Sequence, residues 1–293
     1  MSAASPSEPN PIAHRAGVVA LLGRPNSGKS TLLNALLGEK IAITSPRAQT
    51  TRSRVLGVLH RPGGQGVLID TPGVHRGQRR FNRAMTDAAV EAARDADLRL
   101  LLLDARASWD EPEERLSTIA APTLLLRTQC DRSRETSPVD TSRFEDCLRI
   151  SAVTGWGLDR LVERMLDLLP VSPPLYPEDF LTDRPMRFLA AEVIREVAFE
   201  IYRDEVPYSI AVEIDEWRES ERDVRIRASV LVERDAHKGI VVGEGGRGLK
   251  RLGTEARRRI GLQLEKPVHL NLWVKTDRFW TRRLGRAREL GYL

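Results

Sequence analysis

The stretch Gly23-Arg24-Pro25-Asn26-Ser27-Gly28-Lys29-Ser30 follows the apolar run Gly17–Leu22 and opens the helical pattern of Lys29–Leu37. Two glycines with four residues between them, then Lys and Ser, have the spacing of a P-loop. Such a loop turns successive backbone N–H groups inward at a helix N-terminus, where they form a nest for phosphate oxygens. The spacing predicts that Lys29 reaches the β- and γ-phosphates and that the Ser30 hydroxyl sits on Mg²⁺. A turn that merely caps a helix needs no Lys and Ser directly after its second glycine.

Working outward, short apolar runs alternate with helical stretches. Strands are expected at Gly17–Leu22, Arg54–His60, Gly66–Ile69, Leu98–Leu103, Thr123–Arg127 and Leu148–Ile150, with helices at Lys29–Leu37, Phe81–Ala96 and Leu158–Leu169. That alternation predicts an α/β unit, a mostly parallel sheet with helices on both faces. Pro170, Pro173, Pro174 and Pro177 then cluster, and proline both ends helices and stiffens linkers. The expected division is a disordered tail over 1–16, a nucleotide-binding unit over 17–170, a linker over 171–186 and a small α+β unit over 187–293.

Asp70-Thr71-Pro72-Gly73 closes the apolar strand Val67-Leu68-Ile69. A carboxylate there can hold Mg²⁺ through water, and the Gly73 N–H can approach the γ-phosphate. In the second unit, Val224, Ile226, Ala228, Val230 and Val232 alternate along one strand face, with a strand at Tyr208–Glu213 before it. Gly243-Glu244-Gly245-Gly246 lies in a glycine-rich turn that lets the backbone approach nucleic-acid phosphates, followed by a basic helix to Arg259. Between Ala236 and Leu293, fourteen Lys and Arg stand against five Asp and Glu, whereas the whole chain is at +5. The positive charge is thus gathered at the C-terminal end, an electrostatic hint of a polyanionic partner. The chain has two cysteines and five scattered histidines. These fit a reducing cytoplasm better than a disulfide framework or a protein-only metal centre.

GRPNSGKS, DTPG and the intervening Gln49-Thr50-Thr51-Arg52 resemble the first three guanine-nucleotide motifs of the TrmE–Era class of P-loop GTPases. The resemblance implies that Thr51 ligates Mg²⁺ in the GTP state and that Asn26 is associated with a potassium ion near the β- and γ-phosphates. It implies slow, potassium-assisted hydrolysis in which Lys29, Asn26 and Thr51 carry the catalysis. Val74 stands where Ras has its water-orienting glutamine. Gly23, Arg24, Pro25, Ser27, Gly28, Ser30, Asp70 and Gly73 complete the expected phosphate and Mg²⁺ site. Base recognition falls to Thr128-Gln129-Cys130-Asp131 with Ser151 and Ala152. Here Thr128 and Gln129 depart from the Asn-Lys pair of the family, while Asp131 keeps the carboxylate that reads the guanine edge.

The stretches Pro207-Tyr208-Ser209, Leu231-Val232-Glu233-Arg234, Pro267-Val268-His269-Leu270 and Trp273-Val274-Lys275 are similar to a type II KH domain of this class. Glu244 departs from it, since a basic residue is common inside that turn. Lys250, Arg251 and Arg257 to Arg259 could offset the acid, and Tyr208 and Trp273 are expected in the core. The resemblance implies a GTP/GDP switch that binds small-subunit ribosomal RNA near its 3′ end and the pre-30S particle. It further implies a monomer, with peripheral association at the inner membrane that the basic surface is compatible with. The alternative is an RNA-binding protein whose nucleotide site is degenerate, which TQCD and Glu244 favour and the intact P-loop opposes.

Overall fold

The computed structural model describes residues 13–45, 47, 51–73, 80–119, 121–132 and 139–292, with backbone alone for 80–83. Gln49, Thr50, Val74, most of the N-terminal tail and the middle of the 132–145 stretch lie outside the described residues. In chain order the first unit runs β1 (Arg15–Gly23), α1 (Lys29–Leu37), β2 (Val55–Arg61), β3 (Gly64–Asp70), α2 (Arg80–Asp95), β4 (Leu98–Asp104), α3 (Glu111–Ser117), β5 (Thr123–Thr128), β6 (Asp146–Arg149) and α4 (Leu158–Leu168). The strands form one six-stranded sheet in the order β2-β3-β1-β4-β5-β6. β2 pairs antiparallel with β3, and the remaining pairs are parallel.

Continuous apolar strands such as Leu98–Leu103 are what a sheet covered on both faces requires. Successive residues enter separate cores: Leu98, Leu100 and Leu102 pack with α1 and α4, and Leu101 and Leu103 pack with α2 and α3. This two-sided burial fixes the C-terminal ends of β1, β3, β4 and β5 along one rim. In a parallel sheet the ligand sites lie at that rim. Helix α3 was not anticipated. It is short, and a capping box of Asp110 and Glu113 starts it.

Residues 171–182 do not leave the first unit directly. Ser172 N–H donates to His14 O at 3.0 Å, the Gln65 amide bonds the backbone of Leu175 and Tyr176, and Val58 N–H donates to Leu181 O at 2.8 Å. Tyr176 and Phe180 stack with centroids 4.6 Å apart against the face made by Leu56, Val58 and Val67.

The second unit is α5 (Met186–Ile201), α6 (Val206–Ser209), β7 (Ala211–Glu219), β8 (Val224–Val232), α7 (Asp235–Val242), α8 (Arg247–Leu264), β9 (Val268–Thr276) and α9 (Leu284–Glu289). β8 is central, antiparallel to β7 and parallel to β9. The alternating residues of β8 pack beneath α5 and α8. Three local expectations are corrected. Tyr208 belongs to one turn of helix, half-buried edge-on to Phe199, and the strand starts at Ala211 because Pro207 opens that turn. The basic helix α8 continues past Arg259 to Leu264. Trp273 is 43% exposed and stacks under Arg227 at 5.1 Å, while the buried tryptophan is Trp280. Trp273 faces outward because β9 is an edge strand with helices on one side only.

Candidate nucleotide and RNA sites

Gly23 ends β1 with φ 146°, and a Cβ there would stand 2.5 Å from the Leu102 carbonyl. Gly28 caps α1 with φ 99°. The loop between them wraps Lys29, whose buried Nζ donates to Gly23 O at 3.1 Å and Arg24 O at 2.8 Å. Burial pushes the Lys29 ammonium down to about 8, with Asp70 pulling the other way. A cation held this way is poised for a phosphate to restore its ordinary state.

Three oxygens from three elements meet beside it. Ser30 Oγ donates to Asp70 Oδ2 at 2.6 Å, the Ser30 and Thr51 hydroxyls are 2.7 Å apart, and Thr51 Oγ1 lies 3.4 Å from Asp70 Oδ2. Burial raises the Asp70 carboxyl above its usual range, against the pull of Lys29. Its second oxygen, Oδ1, is buried without a hydrogen bond among the described residues. An all-oxygen set with an unsatisfied carboxylate oxygen suits a hard divalent cation such as Mg²⁺. Gly73 presses on the loop so closely that a Cβ would meet Pro25 N at 2.5 Å.

Pro25, Asn26, Gly28, Lys29, Ser30, Thr51 and Gly73 line one cavity. Ile43, Thr44 and Ser45 also line it, and sequence reasoning missed them because no motif marks them. Arg24 turns its guanidinium away, onto Asp110 at 3.0 Å and Glu113 at 2.6 Å, and offers the site only its backbone. Asn26 holds φ 64°, a left-handed conformation that Asn tolerates.

At the rim of β5, Thr128 Oγ1 donates to Ser27 O at 2.7 Å and so braces the P-loop. Asp131 Oδ1 accepts from Ser151 Oγ at 2.6 Å, joining the two segments expected to recognise the base. Ala152 follows at the half-buried edge of a tight turn closed by Ser151 N–H to Trp156 O at 2.9 Å.

In the second unit, Gly243 has φ 69° and ψ 171°, and Glu244, Gly245 and Gly246 form a short turn of helix that feeds α8. Glu244 is exposed and paired with Arg247. Lys250, Arg251 and Arg257 are exposed on α8 and form no ion pair among the described residues. Arg258 and Arg259 do: Arg258 meets Glu255 at 2.8 Å, and Arg259 meets Glu255 at 2.7 Å and Glu200 at 2.6 Å. Part of the basic charge expected to offset Glu244 is therefore already neutralised.

A P-loop with a carboxylate and two hydroxyls at a parallel-sheet rim, joined to an αββααβ unit with a glycine turn, defines a P-loop GTPase carrying a KH domain. Models of the 50S ribosome-binding GTPase family and of the KH domain match residues 18–129 and 205–281. The chain is 43% identical over 291 residues to GTPase Era of Geobacter metallireducens, covering 95% of this chain and 98% of the relative. It is 41% identical over 292 residues to GTPase Era of Bordetella pertussis, covering 95% and 98%. Two solved structures superimpose with TM-score 0.88 at 37% identity, covering 95% of this chain and 99% of theirs. One is a point variant of Aquifex aeolicus Era bound to GDP and AlF4⁻, and the other is Era with MgGDPNP and nucleotides 1506–1542 of 16S ribosomal RNA. The chain belongs to the Era family of GTPases.

Proposed function

We propose that this protein is a GTP-binding, GTP-hydrolysing switch that binds small-subunit ribosomal RNA near its 3′ end and assists maturation of the small ribosomal subunit. The observation that carries the reading is the meeting of Ser30, Thr51 and Asp70 beside Lys29 at the N-terminus of α1. Mg²⁺ bound there would neutralise charge on the β- and γ-phosphates. The chain's own share is positional. Loop N–H groups and Lys29 hold the phosphates, while Ser30, Thr51 and Asp70 present oxygen to the cation. Asn26 lies at the edge of this cavity, where a potassium ion would sit beside the same phosphates. Asp131, with Ser151 and Ala152, reads the guanine edge, and Thr128 keeps the loop in place.

The RNA contact is assigned to Gly243, Glu244, Gly245 and Gly246 with Lys250, Arg251 and Arg257. The reading includes a monomer in the cytoplasm. No helix of the described residues is long and apolar enough to cross a membrane. The reading also includes peripheral association with the inner membrane through the basic C-terminal surface. Flotation with anionic vesicles tests that part. Competition of GDP, GTP and ATP against a fluorescent guanine nucleotide tests the central part, together with phosphate release. Displacement by ATP as effective as by GTP, or no turnover with Mg²⁺, would sink it.

A further inference from the structure

Gln129 stands where the guanine-recognition motif carries a lysine, and its surroundings explain why an amide serves here. Its backbone is left-handed, φ 58°, and its Nε2 donates to Asn26 O at 3.0 Å. Its Oε1 accepts from two guanidinium groups, Arg106 Nη2 at 3.2 Å and Arg132 Nη1 at 3.1 Å. A lysine could make the first contact but could accept neither of the others, and it would place a third cation among them. Arg106 leaves the turn after β4 and is held on a second side by Asp104. That carboxylate accepts from Nε at 3.0 Å, Nη2 at 2.7 Å and the Arg106 backbone N–H at 2.9 Å. The charge of Asp131 also attracts this guanidinium. The Arg106 side chain nevertheless remains 46% exposed at the rim.

Resting on the guanine reading of this same site, we propose that Arg106 is a nucleotide-binding residue of this chain. Its planar guanidinium, fixed by Asp104 and Gln129, lies against the guanine face and supplies the cation that position 129 lacks. A guanidinium suits the role because it is flat, permanently charged and weakly hydrated, and it stacks on π-faces. The competing account is a surface ion pair of Arg106 with Asp104, which would add little to anything.

The experiment uses the full chain, fluorescent GDP, and Arg106→Gln, Arg106→Lys and Gln129→Lys, the last in both the parent and the Arg106→Gln background. The melting temperature of each nucleotide-free variant is measured alongside. Arg106→Gln should weaken GDP binding by about two- to five-fold, the range of an exposed cation–π contact, without moving the melting temperature. Arg106→Lys, which keeps the charge but not the flat forked group, should recover only part of that loss. Gln129→Lys should not tighten GDP in the parent, yet should tighten it once Arg106 is Gln. GDP affinity unchanged in Arg106→Gln, or an equal effect of Gln129→Lys in both backgrounds, overturns the proposal. Failure of the guanine reading is visible separately, as a parent chain that binds ADP as well as GDP.

Discussion

Arg52 of the first unit is buried in the second: its Nη1 donates to the carbonyl of Ile210 at 2.6 Å, 158 residues further along the chain. Its Nη2 donates to Tyr208 O at 2.9 Å, and the guanidinium lies 5.3 Å from the Trp280 ring and 5.5 Å from that of Tyr292. The residue directly before it is Thr51, whose hydroxyl belongs to the Ser30–Asp70 cluster. One peptide bond therefore separates the nucleotide site from an anchor in the RNA-binding unit. Arg52→Ala should cost about 2–5 kcal/mol in urea denaturation, because buried carbonyls lose a charged donor and a cavity opens among aromatic rings. Any difference in RNA affinity between the GTP and GDP forms should narrow in the same variant, measured by fluorescence anisotropy.

A second strut runs through Glu196 on α5. Its Oε1 accepts from the Thr44 backbone N–H at 3.0 Å, and its Oε2 meets Lys40 at 2.6 Å. Thr44 lines the nucleotide cavity. Glu196→Gln keeps the shape but weakens the charge-assisted bonds, so GTP affinity should fall by about three- to ten-fold while the fold survives. Unchanged GTP affinity would separate this strut from the site.

Nucleotide binding should depend on pH through Lys29. Below about 8 the free protein already carries the ammonium that phosphate needs. Above it the buried amine is neutral and must take up a proton on binding, so GDP affinity should drop by about ten-fold per pH unit. The effect on folding has the opposite sense. Between about 8 and the ordinary lysine value of 10.5, the unfolded chain holds a proton that the nucleotide-free fold lacks. Its stability should therefore rise with pH in that window. Calorimetry in buffers of different ionisation enthalpy reads the proton directly, and Lys29→Met should abolish the uptake.

Hydrolysis should be slower in sodium than in potassium by roughly ten-fold or more, since an ion fitted beside the phosphates offsets transition-state charge. The difference should shrink in Asn26→Ala. Equal rates in the two salts would remove Asn26 from the mechanism.

Glu244→Lys should tighten RNA binding and steepen its salt dependence by about one to two units of slope, as it replaces an acid by a cation and releases Arg247 from its pair. GDP affinity should stay unchanged. Equal RNA binding by parent and variant would place the contact away from this turn.

The sequence by itself determined what repeats locally or is spelled by contiguous residues. Continuous apolar runs imply a sheet covered on both faces, and GRPNSGKS implies a phosphate nest because its backbone requirements are met within eight residues. Ser30 and Asp70 were singled out by contiguous motifs in the same way, whereas Thr51 was marked only by the resemblance of its TTR element; that the three side chains meet is a fact of the tertiary structure. Tertiary structure alone decided what those residues do not spell. Arg52 closes the TTR element like any exposed arginine, yet it is buried because α6 and the C-terminal aromatics form a pocket of carbonyls and rings around it. Arg106 and Gln129 are 23 residues apart and carry no shared pattern, but adjacent parallel strands bring their turns to one rim. Trp273 looks like core and is not, because an edge strand packed on one side exposes its other face. Periodicity reports which face of an element is apolar; which distant charge meets it is settled only when two elements dock, since that energy belongs to the pair.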